Sequence, residues 1–223
     1  MVSRTVGLCL LVLAVVGGSG SLPAAGPGSE GPFVRASVAL EHEPGDCTEA
    51  ATCGVPSTGQ TDCWDFKGVP ISCSGTGQDG EYQAGTTVAQ RFTNNGDGTV
   101  TDALTGLVWL QDASCFGPRS VTGALAAAND LASGSCGLTD GSVAGDWRLP
   151  NVKELYSLVD CGQCEPAVPA DHPFIGVQSQ GYWSSTTCAV NPAHAWLVDF
   201  YVGGVNRNDK AVVNRVWPVR GGH

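Results

Sequence analysis

The sequence predicts an α+β fold, on three observations. Two segments space their apolar residues as helices do, several runs alternate or cluster as strands do, and the order is strands, then two helices, then strands again. Composition agrees with a loop-rich globular chain. Of 223 residues, 31 are Gly and only 14% are charged, which excludes a coiled coil or a solvated helical bundle. The apolar share of 42%, with six Trp, six Phe and four Tyr, can fill a core and excludes general disorder. The formal charge is −10 with three lysines, so a nucleic-acid partner is not expected, because a phosphate backbone needs a basic footprint.

The chain opens with Arg4, an unbroken apolar run from Val6 to Val16, and small residues leading to Ala25. That is the pattern of a secretory signal peptide over residues 1–25. The apolar run is far short of the ~20 residues that cross a bilayer, so no transmembrane segment is expected after cleavage. Residues 26–86 form a Cys- and Gly-rich acidic segment, with nine acids against Arg35 and Lys67 and a short echo between Thr58–Asp62 and Thr76–Gly80. A domain over 87–223 follows. In it Gln90–Thr93 and Thr99–Asp102 flank Asn94-Asn95-Gly96-Asp97-Gly98, a hairpin signal, and Leu107–Leu110 supplies a third strand.

Val121–Ser133 reads as a helix with Val121, Leu125, Ala128 and Ala132 on one face and Gly134 as its stop. A second helix begins at Asn151, a capping residue with Glu154 three positions on, and carries Val152, Leu155, Tyr156 and Val159 at i, i+3, i+4 and i+7. The remainder is β: Tyr182–Ser185, Ala195–Val202, a Gly203-Gly204 turn and Val212–Val219.

Cysteine use fits an oxidising compartment, secreted, extracellular or periplasmic. Outside the leader there are nine, Cys47, Cys53, Cys63, Cys73, Cys115, Cys136, Cys161, Cys164 and Cys188. Cys47 with Cys53, Cys63 with Cys73, and Cys115 with Cys136 are natural local pairs, although spacing does not fix connectivity. The group Cys161, Cys164 and Cys188 holds the odd thiol, and a structural bridge from Cys161 or Cys164 to Cys188 is the expectation there.

Five stretches together resemble one family: Arg91–Trp109, Gly145–Asp160, Tyr182–Thr187, Ala195–Phe200 and Val216–Gly222. In order and spacing they are similar to the Lcl C-terminal domain family, bacterial secreted or surface modules named after a collagen-like adhesin. The resemblance implies a C-type-lectin-like domain with two helices and antiparallel strands, and for its adhesin members attachment to sulfated glycans. The collagen-like array of that adhesin is absent, and Glu165-Pro166-Ala167 departs from the sugar-binding triplets of calcium-dependent lectins.

Few motifs point to catalysis. Cys161-Gly162-Gln163-Cys164 has the spacing of a redox pair, but it follows a helix and Asp160 rather than opening a helix, where the dipole would favour a thiolate. Cys161, Cys164 and Cys188 with His172 offer a Cys₃His set whose gaps match no standard zinc module. Gly75–Gly80 matches a dinucleotide pattern in letters only, and Asn94–Asp102 fails the calcium-loop positions. No catalytic residue, metal or cofactor is expected. Arg207, Lys210, Arg215 and Arg220 fall within fourteen residues against Asp209 alone, a basic hairpin that, with Tyr201 and Asn206, suits an anionic ligand. Trp147, Trp183, Trp196 and Trp217 are expected in the core. The sequence thus reads as a secreted or cell-surface binding module for a glycan or a surface protein, with a thiol oxidoreductase using Cys161 and Cys164, or a purely structural envelope protein, as the alternatives.

Overall fold

The computed structural model describes residues 54–221; the expected leader, Cys47 and Cys53 lie outside them. A small layer comes first. Strands β1 (Cys63–Trp64) and β2 (Pro70–Ile71) pair antiparallel and precede a single turn of helix, α1 (Asp79–Tyr82). The Cys63–Cys73 disulfide closes this unit.

The hairpin signal is realised as β3 (Phe92–Asn94) and β4 (Thr99–Asp102), and β5 (Leu107–Leu110) continues the meander. Gly98 is required in the turn: its φ is +85°, and a Cβ there would stand 2.5 Å from the Gly137 carbonyl oxygen. Asp102 closes β4 from a fully buried position. Its carboxylate accepts from Arg91 Nε and Nη2 at 2.9 Å each, from the Leu104 amide at 3.0 Å and from Thr105 Oγ1 at 2.8 Å.

Strand β6 (Phe116–Arg119) leads into α2 (Val121–Asn129), and α3 (Val152–Tyr156) comes later. The capping box is present: Asn151 Oδ1 accepts from the Lys153 and Glu154 amides at 2.9 and 3.0 Å, and Glu154 Oε2 accepts from the Asn151 amide at 2.8 Å. Arg148 grips the same Glu154 with two bonds, at 2.7 and 2.8 Å, and donates to the Gly221 carbonyl at 2.9 Å. The Trp147–Glu154 stretch therefore clamps the start of α3 to the end of the described chain.

Strands β7 (Gly181–Thr187), β8 (His194–Asp199), β9 (Gly204–Asp209), β10 (Asn214–Val216) and β11 (Val219–Gly221) complete two sheets. One runs β6-β10-β7-β8-β9, the other β11-β5-β4-β3. All pairs are antiparallel except β10 with β7. The chain passes from one sheet to the other at Trp217-Pro218, so its last segment belongs to both.

Alternation along these strands sorts two cores. Tyr182, Val198 and Trp217 face a cluster shared with Val100, Trp109, Phe174 and Phe200, which joins the two sheets. Their neighbours Trp183, Leu197 and Val216 face the other way, against Val121, Ala124 and Ala128 of α2. Trp147, Trp183 and Trp217 are fully buried, while Trp196 is half-buried.

The α+β, C-type-lectin-like expectation does not hold. The described structure is mostly β, in three sheets, with helices of only four, nine and five residues amounting to 11%. The helix expected to reach Ser133 stops at Asn129, because Leu131 turns into the main core instead of extending the helical stripe. Its buried face is Val121, Ala124 and Ala128, and Leu125 is exposed. Besides the short β1 and β2, two strands of the larger sheets were not expected, β6 and β9. The first is Phe-Gly-Pro-Arg, a composition that strands tolerate at a sheet edge, which is where it lies. The second is a polar, exposed edge with no apolar period to read. The run expected over Val212–Val219 is split by Pro218 into β10 and β11.

Candidate functional site

The basic hairpin does not gather into one site. Arg207 lies exposed on β9 opposite Trp196, and its Nη1 stands 3.3 Å from the Cys188 sulfur at the end of β7. Lys210 donates from Nζ to Thr187 Oγ1 at 2.8 Å, and its amide is held by the Ala193 carbonyl at 2.9 Å. Arg207 and Lys210 therefore meet at Thr187–Cys188. Arg215 is elsewhere, on β10 in register with Tyr182, and donates to Gln180 Oε1 at 2.8 Å. Three inter-strand steps separate β10 from β9, about 14 Å at the usual sheet spacing.

Tyr201 stands exposed in the turn after β8, its phenol hydrogen-bonded to Glu165, which holds its pKa above the usual phenol value. Asn206 is exposed on β9 and alternates with Arg207, so it points to the opposite face. Arg220 is taken by structure: it pairs with buried Asp140 at 3.1 Å and lies 5.1 Å from the centre of the Trp147 ring. Among the described residues the ion pairs are Arg91–Asp102, Arg148–Glu154 and Arg220–Asp140. Arg207, Lys210 and Arg215 thus have no carboxylate partner there, on a chain whose net charge is strongly negative.

Cys188 is itself part of this cationic corner. The Arg207 guanidinium first, then the amides of Asn191 and Val190, donate to its sulfur and hold the thiol below its usual value. This arrangement is not legible in the sequence, because Cys188 and Arg207 meet only through the β7–β8–β9 register.

The cysteines sort into two classes. Cys63–Cys73 and Cys115–Cys136 are disulfides, whereas Cys161 and Cys164 are exposed free thiols and Cys188 is a buried one. The bridge expected from Cys161 or Cys164 to Cys188 is not formed. Among the described residues no three His, Cys, Asp or Glu side chains converge as metal ligands, so Cys161, Cys164, His172 and Cys188 are not brought into one set.

Two clefts flank the segment Pro56–Gly59, and neither was legible in the sequence. One, of about 370 Å³, is polar and includes Ser57, Thr87, Gln90, Asp160 and Asp171. The other, of about 340 Å³, is largely apolar and is walled by Val55, Val152, Tyr156, Cys161 and Val205.

His172, a candidate ligand by sequence, has a structural post. Its Nδ1 accepts the Phe174 amide at 3.1 Å, and burial lowers its pKa from the ordinary 6.5, keeping the ring neutral. The folded state then binds fewer protons than the unfolded one. This contribution to stability is complete above pH ~6.5 and is lost as pH falls through the lowered folded value. Wild-type protein should lose more thermal stability between pH 7 and pH 5 than His172→Asn, whose side-chain oxygen can accept the same amide without titrating; parallel melting curves across that range test this.

The profile of the Lcl C-terminal domain matches residues 98–220, more than half of the chain and all of the strands from β4 to β10. No curated protein matches the sequence. The matched stretch contains the buried Trp147 and Trp217, the Arg148–Glu154 clamp and the strand that crosses between the sheets. On this match the chain belongs to the Lcl C-terminal domain family.

Proposed function

We propose that this protein is a non-catalytic extracellular binding module that holds an anionic partner, a sulfated glycan in the first instance, at the Arg207–Lys210 corner. The observation that carries the reading is the pairing state of these cations. Two basic side chains converge at Thr187–Cys188 with no carboxylate among their described partners, on a chain of formal charge −10. A local field of this kind attracts an anion although the net charge repels it. Two disulfides across the described residues suit an oxidising compartment, and no described helix is long and apolar enough to cross a membrane.

The test is binding to immobilised sulfated and unsulfated glycans. Wild-type protein should prefer the sulfated set, with affinity falling as salt rises. Arg207→Glu and Lys210→Glu should each weaken binding about tenfold, the equivalent of one lost charge-assisted hydrogen bond. Arg215→Glu should leave binding within about twofold, since exposed charges beyond a Debye length are largely screened. Equal loss in all three variants would mean that overall charge, not this corner, governs binding. Absence of any preference for the sulfated set, together with insulin reduction by the wild type that disappears in Cys161→Ser, would replace the reading with an oxidoreductase.

A further inference from the structure

Two disulfides leave three thiols among the described residues, and two of them share one loop. Cys161 and Cys164 are both exposed and are separated by Gly162 and Gln163. The loop that carries them is held on several sides. The Asp160 amide donates to the Ala167 carbonyl at 3.2 Å, the Gln163 amide back to the Asp160 carbonyl at 3.2 Å, and the Glu165 amide to the Tyr201 carbonyl at 2.9 Å. The Cys161 amide donates to the Thr58 carbonyl at 2.6 Å. The chain therefore reverses between Asp160 and Ala167, with both cysteines inside the reversal.

Gly162 is what lets this loop close on its neighbour, because a Cβ there would stand 2.7 Å from the Gly59 carbonyl oxygen. Cys161 forms part of the apolar groove beside Tyr156, whose phenol is raised above its usual pKa by burial and then by the adjacent Cys161. Cys188 is no rival partner: it is buried at the end of β7, with Arg207 on its sulfur.

We infer that Cys161 and Cys164 form a reversible thiol–disulfide exchange site, open to small disulfides of the oxidised-glutathione class. One cysteine sulfur attacks the external disulfide, whose S–S bond breaks as a mixed disulfide forms and one external thiol leaves with a proton. The second cysteine sulfur then attacks the mixed disulfide and releases the second external thiol. Overall two protein thiols lose two electrons and two protons, and the external disulfide is reduced to two thiols. The two cysteines lie three positions apart around the turn that the Gln163 amide closes on the Asp160 carbonyl, and an S–S bond between them calls for a Cα separation of ~4.4–6.8 Å. Exposure gives the external disulfide access, which Cys188 lacks.

The site is independent of the proposed anion corner, and its test needs no glycan. Full-length protein is equilibrated in glutathione buffers from fully reduced to fully oxidised, its remaining thiols are alkylated, and it is digested with chymotrypsin. A peptide spanning residues 157–174 contains Cys161 and Cys164 and no other cysteine. In oxidised buffer this peptide should carry no alkyl group and be lighter by two hydrogens than the reduced, unalkylated form. Returning the protein to reduced buffer should restore two alkylation sites. Cys188→Ser should behave identically, and Cys164→Ser should leave Cys161 as a mixed disulfide with glutathione. The inference is overturned if both thiols stay alkylatable across the series, or if either is found bonded to Cys188 or to another cysteine of the chain. Mapping of the wild type decides the matter even if a serine variant folds poorly.

Discussion

Replacing Trp217 with alanine should destabilise the protein by about 3–5 kcal/mol, the range for removing a large aromatic from a packed interior. The indole is fully buried and sits among four aromatic rings, with centroids at 4.9 Å to Phe174, 5.5 Å to Tyr182, 5.7 Å to Phe200 and 5.8 Å to Trp109. These neighbours come from both sheets and from the segment before β7, so they cannot close in together on the space left behind. The indole Nε1 also donates to the Leu110 carbonyl at 2.8 Å. Trp217→Phe should therefore fall between wild type and alanine, keeping most ring contacts but leaving that carbonyl without its donor, at about 1–3 kcal/mol. Urea unfolding followed by near-ultraviolet circular dichroism measures both. A loss below about 1 kcal/mol for the alanine variant would show that the two sheets do not depend on this corner.

The second large effect is expected at Asp102. Its carboxylate is fully buried and receives two donors from Arg91 and two from the following turn, while Arg91 also donates to the Ser157 carbonyl at 2.7 Å. Asp102→Ala leaves a largely buried guanidinium with no countercharge, which typically costs about 3–5 kcal/mol. Arg91→Met strands the carboxylate in the same way. The double variant should lose clearly less than the sum of the two, since it removes the charge and the countercharge together. Chemical denaturation of the four proteins in one cycle gives the coupling, and simple additivity would contradict the buried pair.

What was legible in the sequence was local. Asn94–Gly98 gave the β3–β4 turn because its residues demand it, and Asn151 with Glu154 gave the start of α3 because a capping box is a short-range arrangement. The fold class was misjudged because the helical stripes were real but short. Leu125 points outward and Leu131 leaves the helix for the core, so α2 is a brace on a β framework rather than a layer. The site was legible as residue types but not as geometry. Arg207 and Arg215 look like neighbours on one hairpin, yet β9 and β10 are separated by β8 and β7. The partners that matter to Arg207 and Lys210, Cys188 and Thr187, lie 19 and 23 positions away and are set only by strand register.

The passage of the final segment through both sheets has a bearing on biogenesis. Strand β11 pairs with β5, and Trp217 bonds to Leu110 across 107 positions, so neither sheet can be completed until residues 214–221 have been synthesised. The nascent chain must wait, with Leu110 made more than a hundred residues before its closing partner Trp217, and such long-range closure makes for slow maturation. Early termination anywhere before Trp217 should thus yield a product that quality-control proteases destroy rather than a smaller working domain.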